Sequence, residues 1–522
     1  MVGSRFGPDL LTVLGVEPVV DGLVAAELID QVRFTPHPEY VFHHPLIRTV
    51  AYESQLKSDR LELHRRLADA IKERYPESVE ENAALIAEHL EAAGDLRAAY
   101  DWHMRAAGWS SNRDIAAARV SWQRARQITD ALPDSDSDRT AMRIAPTTML
   151  CATGWRVHSD ISARFDELRD LCMEAGDKTS LAIGMAGLVP QHFNHGRLRE
   201  ASQVGTELMA LVESIGDPTL TVGLASSLPT TKFATAEMGE VLRWSQTIID
   251  LAQGDPAKGN FIIGSPLAVA LALRGTARYA FGTPGWRDDL DLALATARGT
   301  DPWSFSLVSM FAYAGGIQNG ALLADDTALR DIEEALRIAE RSSDDVALNT
   351  TRLTLGAALM HRDSPADRER GSAVLQQLRD ACLNGQFYLT MLPALDWYLG
   401  RERARRGDRD GALPVMHRAV DDLYLSGQIV HWDAATGALV ETLLERPRED
   451  DVAKAQAAIA RLAALQSDEG LVIREVWLTR LNALLAQARG DDKGYRHHRD
   501  RYRAMATSLG FEGHIKWADA MP

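Results

Sequence analysis

From about residue 80 onward, apolar residues return at three- and four-residue steps, and sustained period-two alternation is absent. That pattern predicts an all-α region built from amphipathic helices. Small residues recur on the predicted buried stripes, as in Leu198-Arg199-Glu200-Ala201 and Ile332-Glu333-Glu334-Ala335-Leu336, so close helix pairs are expected. Two kinds of turn alternate along this region. Gly216-Asp217-Pro218, Gly254-Asp255-Pro256 and Gly299-Thr300-Asp301-Pro302 pair a helix-ending Gly with an Asp-Pro that caps and starts a helix. Ser342-Ser343-Asp344-Asp345 and Gln466-Ser467-Asp468-Glu469 are weaker copies. The second kind opens a helix after His195-Gly196-Arg197, Met238-Gly239-Glu240, Arg406-Gly407-Asp408 and Arg489-Gly490-Asp491. Neighbouring markers lie roughly 36 to 46 residues apart, longer than the 34-residue tetratricopeptide period, and predict about eight degenerate helical hairpins. One hairpin cannot bury its own apolar face, so the units are expected to stack into a tetratricopeptide-like α-solenoid whose curved groove holds a partner.

The first 76 residues read differently. Asp9 to Leu14 and Val19 to Ile29 predict short helices. Val32-Arg33-Phe34 and Tyr40-Val41-Phe42 then flank a turn and predict a β-hairpin. Two more helices are expected, from Pro45 to Ser54 and from Ser58 to Arg74. Helices with a wing-like hairpin make 1–76 a winged-helix-like module. Residues 77–132 are expected to hold the first helical hairpins and 139–522 the solenoid, with Pro133-Asp134-Ser135-Asp136-Ser137-Asp138 as an acidic linker.

Composition narrows the classes. The 57 Lys and Arg against 73 Asp and Glu leave a net charge of −16, which disfavours nucleic acid or anionic lipid as a chain-wide partner. With 46% hydrophobic and 25% charged residues, the chain is that of a globular protein. Cys151, Cys172 and Cys382 are too few for a disulfide framework or a four-cysteine metal site. The start lacks the apolar stretch of a secretory signal, and Phe261 to Leu273 is too short to span a bilayer. A cytoplasmic protein with no membrane partner is expected.

Candidate chemistry is sparse. The sequence holds no Gly-Lys dipeptide, so it has no intact P-loop, and no G-x-G-x-x-G or G-x-S-x-G motif is present. His192 with His195, His43-His44 and His497-His498 lack third and fourth ligands at metal-binding spacing. Asp288-Asp289 with Asp291, Asp325-Asp326, Asp421-Asp422 and Asp450-Asp451 are read as helix-start residues favoured by the helix dipole. The cluster Arg401, Arg403, Arg405, Arg406 and Arg409, interleaved with Glu402, Asp408 and Asp410, is read as a solvated helix surface. The same reading applies to Arg496, Arg499, Arg501 and Arg503. Trp102, Trp109, Trp122 and the pair Trp397-Tyr398 are read as packing residues rather than a ligand cage. No catalytic, cofactor-binding or metal residue is assigned, and no cofactor is expected.

A resemblance enters through particular words. Gly3-Ser4-Arg5-Phe6 with Leu10-Leu11, Leu23 to Ile29, Tyr40-Val41-Phe42-His43-His44-Pro45-Leu46-Ile47, Ala51-Tyr52-Glu53-Ser54 and Leu63-His64-Arg65-Arg66-Leu67-Ala68 resemble the winged-helix end of a STAND-type ATPase passing into tetratricopeptide-like repeats. The family is that of actinobacterial, especially mycobacterial, regulators joining a class III adenylate/guanylate cyclase domain, an AAA-like ATPase and a helical repeat tail. Met360-His361-Arg362-Asp363-Ser364-Pro365 and the ending from Tyr502 to Met521 resemble that tail. The resemblance implies the C-terminal half of such a regulator, with the cyclase and ATPase residues outside this chain.

The expected function is a non-catalytic scaffold that binds a protein, peptide or small effector and modulates a cyclase or ATPase module. The alternative is a fragment of a LuxR-type transcriptional regulator, in which Arg48, Arg60, Arg65 and Arg66 would meet DNA.

Overall fold

The computed structural model describes residues 5–7, 11, 17, 19–34, 38–74, 76–157, 160–261, 263–342, 344–465 and 468–522. The expected Asp9 to Leu14 helix lies outside the described residues except at Leu11, as do Gly3, Ser4, Leu10, Ser343, Gln466 and Ser467. The chain divides into two compact units, 1–150 and 151–522.

The first unit opens with a three-stranded antiparallel sheet. Arg5–Phe6 pairs with Glu39–Phe42, which pairs with Ile29–Arg33, and Phe6, Ile29 and Tyr40 form its small core. The β-hairpin thus starts three residues earlier than the sequence predicts. The Val20–Ala25 helix stops short of Ile29, because Glu27 takes a positive φ of 56° and turns the chain into the strand. Helices Lys57–Arg74, Ala83–Ala92, Leu96–Ser110 and Ile115–Ala131 follow, with Leu67, Ile71, Ile86, Leu90 and Tyr100 in one core. Asp95 and Asp114 cap two of them by accepting from Ala98 N (3.3 Å) and Ala117 N (3.0 Å). The acidic linker is strapped down. Arg97 holds Asp136 at 2.6 Å and Asp138 at 3.2 Å.

The second unit is a tetratricopeptide-like solenoid of helical hairpins. Among the described residues nine pairs follow in order. The outer helices are Ser162–Ala175, Leu198–Ile215, Met238–Ala252, Trp286–Ala297, Asp326–Glu340, Pro365–Leu383, Arg409–Ser426, Asp451–Ala463 and Asp492–Leu509. Their partners are Lys178–Asn194, the broken Pro218–Ala225 and Ser227–Ala234, Pro266–Ala280, Pro302–Ser309 with its continuation to Gln318, Asp345–Met360, Leu392–Arg405, Trp432–Glu445, Val472–Ala488 and Glu512–Asp519.

Local chemistry explains the punctuation. Gly216 ends a helix at φ 73°, Pro218 takes the first turn of the next, and Asp217 accepts from Thr219 N and Leu220 N. Asp408 and Asp491 cap the helices after Gly407 and Gly490 by accepting from Gly411 N and Gly494 N. One marker departs from the pattern, since among the described residues no helix starts between Gly254-Asp255-Pro256 and Pro266.

Outer and inner helices differ in burial. Outer helices bury one stripe, as Ile332, Ala335 and Ala339 do in Asp326–Glu340. Pro266–Ala280, Asp345–Met360 and Trp432–Glu445 are buried nearly all round. An inner helix of an open superhelix would keep a wet face. These do not, because the array returns on itself every five hairpins. Asn194 of the first bonds Tyr388 of the sixth, and Leu198 of the second lies against Gly427 of the seventh. Gly239 N of the third donates to Asp468 Oδ2 of the eighth at 2.7 Å. Arg287 of the fourth pairs with Glu512 of the ninth at 2.9 Å. One hydrophobic core therefore runs from Trp155 to Ala518.

An apolar cavity at the centre of the second unit

Among the described residues, the inner faces of the second unit leave a partly open cavity of about 190 Å³. Its wall draws on the inner helices of the first six hairpins, from Ala186 through Phe233, Val269, Phe311 and Leu353 to Tyr398, and on the Gln428–His431 turn of the seventh. A groove for a protein or peptide is expected from the sequence. The inner helices Pro266–Ala280, Asp345–Met360 and Trp432–Glu445 pack across that face, and this cavity lies among the inner helices.

Two backbone irregularities shape the wall. Pro190, inside Lys178–Asn194, has no N–H to donate to the Ala186 carbonyl, and both residues line the cavity. Met310–Gly315 is a π-helical turn that places Met310, Phe311, Ala314 and Gly315 in the wall. Single π turns inside α-helices gather at functional sites.

Among the described residues, no Asp, Glu, Lys or Arg lines the cavity. Gln318 Nε2 donates to the Val430 carbonyl at 3.2 Å, so its Oε1 accepts from His431 Nδ1 at 2.8 Å. Burial lowers His431 to about 4, which leaves the ring neutral at pH 7 with Nε2 as an acceptor. Burial likewise raises Tyr398 and Tyr388, whose hydroxyls stay protonated. Three residues of the wall each carry a polar atom buried in the surrounding protein without a hydrogen-bond partner: Trp303 Nε1, Tyr398 Oη and Gln428 Oε1.

The charged groups sit outside the chamber. Glu441 receives Arg401 at 3.0 Å and also pairs with Arg480, and these cations hold its carboxyl down to about 2 against the opposing effect of burial. Asp433 and Arg474 form a fully buried pair at 2.9 Å. The Arg401 cluster is therefore only partly the solvated surface expected. Arg403 and Arg406 are half exposed, but Glu402 is buried and receives Arg406 at 3.2 Å and Arg368 at 3.3 Å. Arg401 reaches a partner one hairpin further on, which local charge balance does not reveal. Helix Asp492–Leu509 fits its reading better, since only Tyr502 and Ala506 are buried there.

The carboxylate readings divide. Asp325 caps its helix through Ala328 N at 2.8 Å. Asp289 instead bonds Arg274 and Arg278 in the interior. Asp421-Asp422 lies in the C-terminal half of Arg409–Ser426 rather than at a helix start, and Asp421 pairs with Arg461. Of the aromatics, Trp122 and Trp397 are core residues, Trp102 carries the Arg105 guanidinium at 3.9 Å, and Tyr398 lines the cavity.

Among the described residues, no group of three or more His, Cys, Asp or Glu is placed to hold a metal ion. None of their helices is long and apolar enough to cross a membrane. Sequence reasoning missed a buried pair in the first unit, His64 Nδ1 and His89 Nδ1 at 3.1 Å, with Tyr52 Oη 3.1 Å from His64 Nε2. Arg48, Arg65 and Arg66 are exposed on their helices.

Neither a protein-family model nor a curated protein sequence matches the chain. Solved structures give distant likenesses. A human IFIT1 dimer with m7Gppp-AAAA is 12% identical with a TM-score of 0.36, covering 81% of this chain and 89% of that one. A Pyrococcus horikoshii signal transduction ATPase with numerous domains (STAND) and a tetratricopeptide repeat sensor is 11% identical with a TM-score of 0.34. That match covers 98% of this chain, which spans 62% of that protein's length. Yeast Tom70 is 13% identical with a TM-score of 0.30, covering 89% and 96%. The solenoid assignment rests on the hairpins themselves.

Proposed function

We propose that the second unit is a non-catalytic regulatory module that takes a small apolar effector into its central cavity. The occupied solenoid then modulates a partner protein, in the manner of the cyclase- and ATPase-linked regulators that the sequence resembles. The apolar, partly open cavity carries this reading. An engineered apolar cavity of about 150 Å³ takes up benzene, so 190 Å³ suffices for a slightly larger molecule. The wall joins inner helices of six hairpins and the turn before the seventh, so a ligand held there would favour whichever solenoid state keeps them closest, the differential hold that regulation requires.

The test is thermal unfolding of the full chain with saturating benzene, beside the Ala357→Leu variant, whose added methyl groups fill the chamber. Benzene raises the melting temperature of the parent chain by preferential binding to the folded state. Ala357→Leu melts higher on its own and no longer responds. A parent chain whose melting temperature benzene leaves unmoved contradicts the reading.

A further inference from the structure

We propose that a second ligand site lies between the inner helix of the fifth hairpin and the outer helix of the sixth, and that it takes a small zwitterion whose carboxylate and ammonium are separated by an aliphatic spacer. The site shares no lining residue with the central cavity and does not depend on it.

The site follows from how two helices meet. Asp345–Met360 and Pro365–Leu383 run antiparallel through a short turn and come closest where both carry glycine. A Cβ on Gly371 would stand 3.1 Å from the Gly356 carbonyl oxygen, and one on Gly356 would stand 2.5 Å from the Leu375 side chain. Toward the other ends of the helices, where the stretch from Asp345 to Arg352 faces the stretch from Gln377 to Asn384, an open cleft of about 490 Å³ remains. Asn349 Nδ2 closes one end of it by donating to the Gln386 carbonyl at 3.3 Å.

Charges next to the cleft are engaged elsewhere. Asp344 pairs with Arg156, and Arg379 pairs with Asp396 at 2.6 Å. Two that line it are not. Among the described residues, the side chains of Asp345 and Arg352 form no hydrogen bond and no ion pair, although Arg352 is half-buried. They stand seven residues apart on one helix, so the helical rise separates their Cα atoms by about 10 Å. That is beyond the three- and four-residue steps at which helical charges pair. The surface between them is apolar, with Leu348 on the same stripe and Leu378 and Ala381 across the cleft. A ligand that satisfies all three parts sets a carboxylate against the Arg352 guanidinium, methylene groups over the leucines and an ammonium at Asp345. A plain anion is disfavoured, because Asp380 also lines the cleft and leaves it two carboxylates to one guanidinium. An α-amino acid is too short, since one carbon separates its charges.

The experiment is calorimetric titration of the full chain at pH 7 and low ionic strength with ε-aminocaproate, caproate, hexylammonium and glycine. The zwitterion ε-aminocaproate binds about three- to fivefold tighter than either single ion, the effect of one partly exposed ion pair, and the advantage shrinks as salt is added. Glycine gives no measurable binding. Arg352→Gln brings ε-aminocaproate down to the affinity of hexylammonium, and Asp345→Asn brings it down to that of caproate. Caproate or hexylammonium binding as tightly as ε-aminocaproate, glycine matching it, or Arg352→Gln leaving its affinity unchanged overturns the proposed ligand class. Failure of all four compounds to bind overturns the site itself and leaves the response to benzene, which tests the central cavity, unaffected. The parent chain's ranking of the four compounds decides the matter even where a variant does not fold.

Discussion

The backbone N–H of His514 donates to the carbonyl of Gly320 at 3.0 Å, which fastens the ninth hairpin onto the end of the fourth. Glu512 N reinforces it on Ala321 O at 3.2 Å, and Lys516 bonds Asp363 at 2.5 Å. Gly320 sits at φ 66°, and a Cβ there would meet Trp517 and His514 at 2.7 and 2.8 Å. Close approach and left-handed backbone together require glycine at this point.

Gly320→Ala therefore costs about 2–4 kcal/mol, combining the left-handed penalty with overpacking. Denaturant unfolding measures the loss. Hydrogen exchange should locate it, with faster exchange in Glu512–Asp519 and little change in Leu198–Ile215.

The buried Asp433–Arg474 pair gives a second expectation. Burial raises the Asp433 carboxyl above its ordinary range despite the opposing pull of Arg474. Arg474→Met strands that carboxylate and costs about 3–5 kcal/mol, whereas Asp433→Leu with Arg474→Met together cost less than the single change. Equilibrium unfolding of the parent chain and the two variants at pH 7 checks the order.

Buried neutral histidines make the second unit sensitive to acid. Burial lowers His514 and His361 to about 3 and His431 to about 4. Between those values and about 6.5 the unfolded chain binds protons that the folded chain refuses, so stability falls as the pH drops through this window. Each group contributes a slope of up to about 1.4 kcal/mol per pH unit. Unfolding free energies from pH 7 to 4.5 should show this fall, and His514→Asn should flatten it.

The cysteines should be inert. Burial raises Cys172 to about 11 and Cys382 to about 12, and all three thiols are buried. Iodoacetamide at pH 8 leaves Cys172 and Cys382 unmodified in the folded chain and alkylates them in denaturant, as read by mass spectrometry.

Much of the fold is legible from local chemistry. The Gly-Asp-Pro and Gly-Asp turns fix where most hairpins begin, because caps act within three or four residues. Closure shows only in part, in the stretch Pro266–Leu273, which is apolar on every side and signals burial all round, before Arg274 and Arg278 interrupt it. The cavity is harder to read. Trp303, Tyr398 and Gln428 belong to three different hairpins, and only the five-hairpin return of the chain brings them to one space. Arg401 misleads for the same reason, since its partner Glu441 lies on the next inner helix rather than on its own.

Xenon pressurisation of crystals of the full chain tests the central claim most directly. The account predicts a strong xenon peak inside the second unit, bounded by Val269, Phe311 and Leu353. Side chains packed through that volume, or a water-filled channel with no xenon in it, would contradict it.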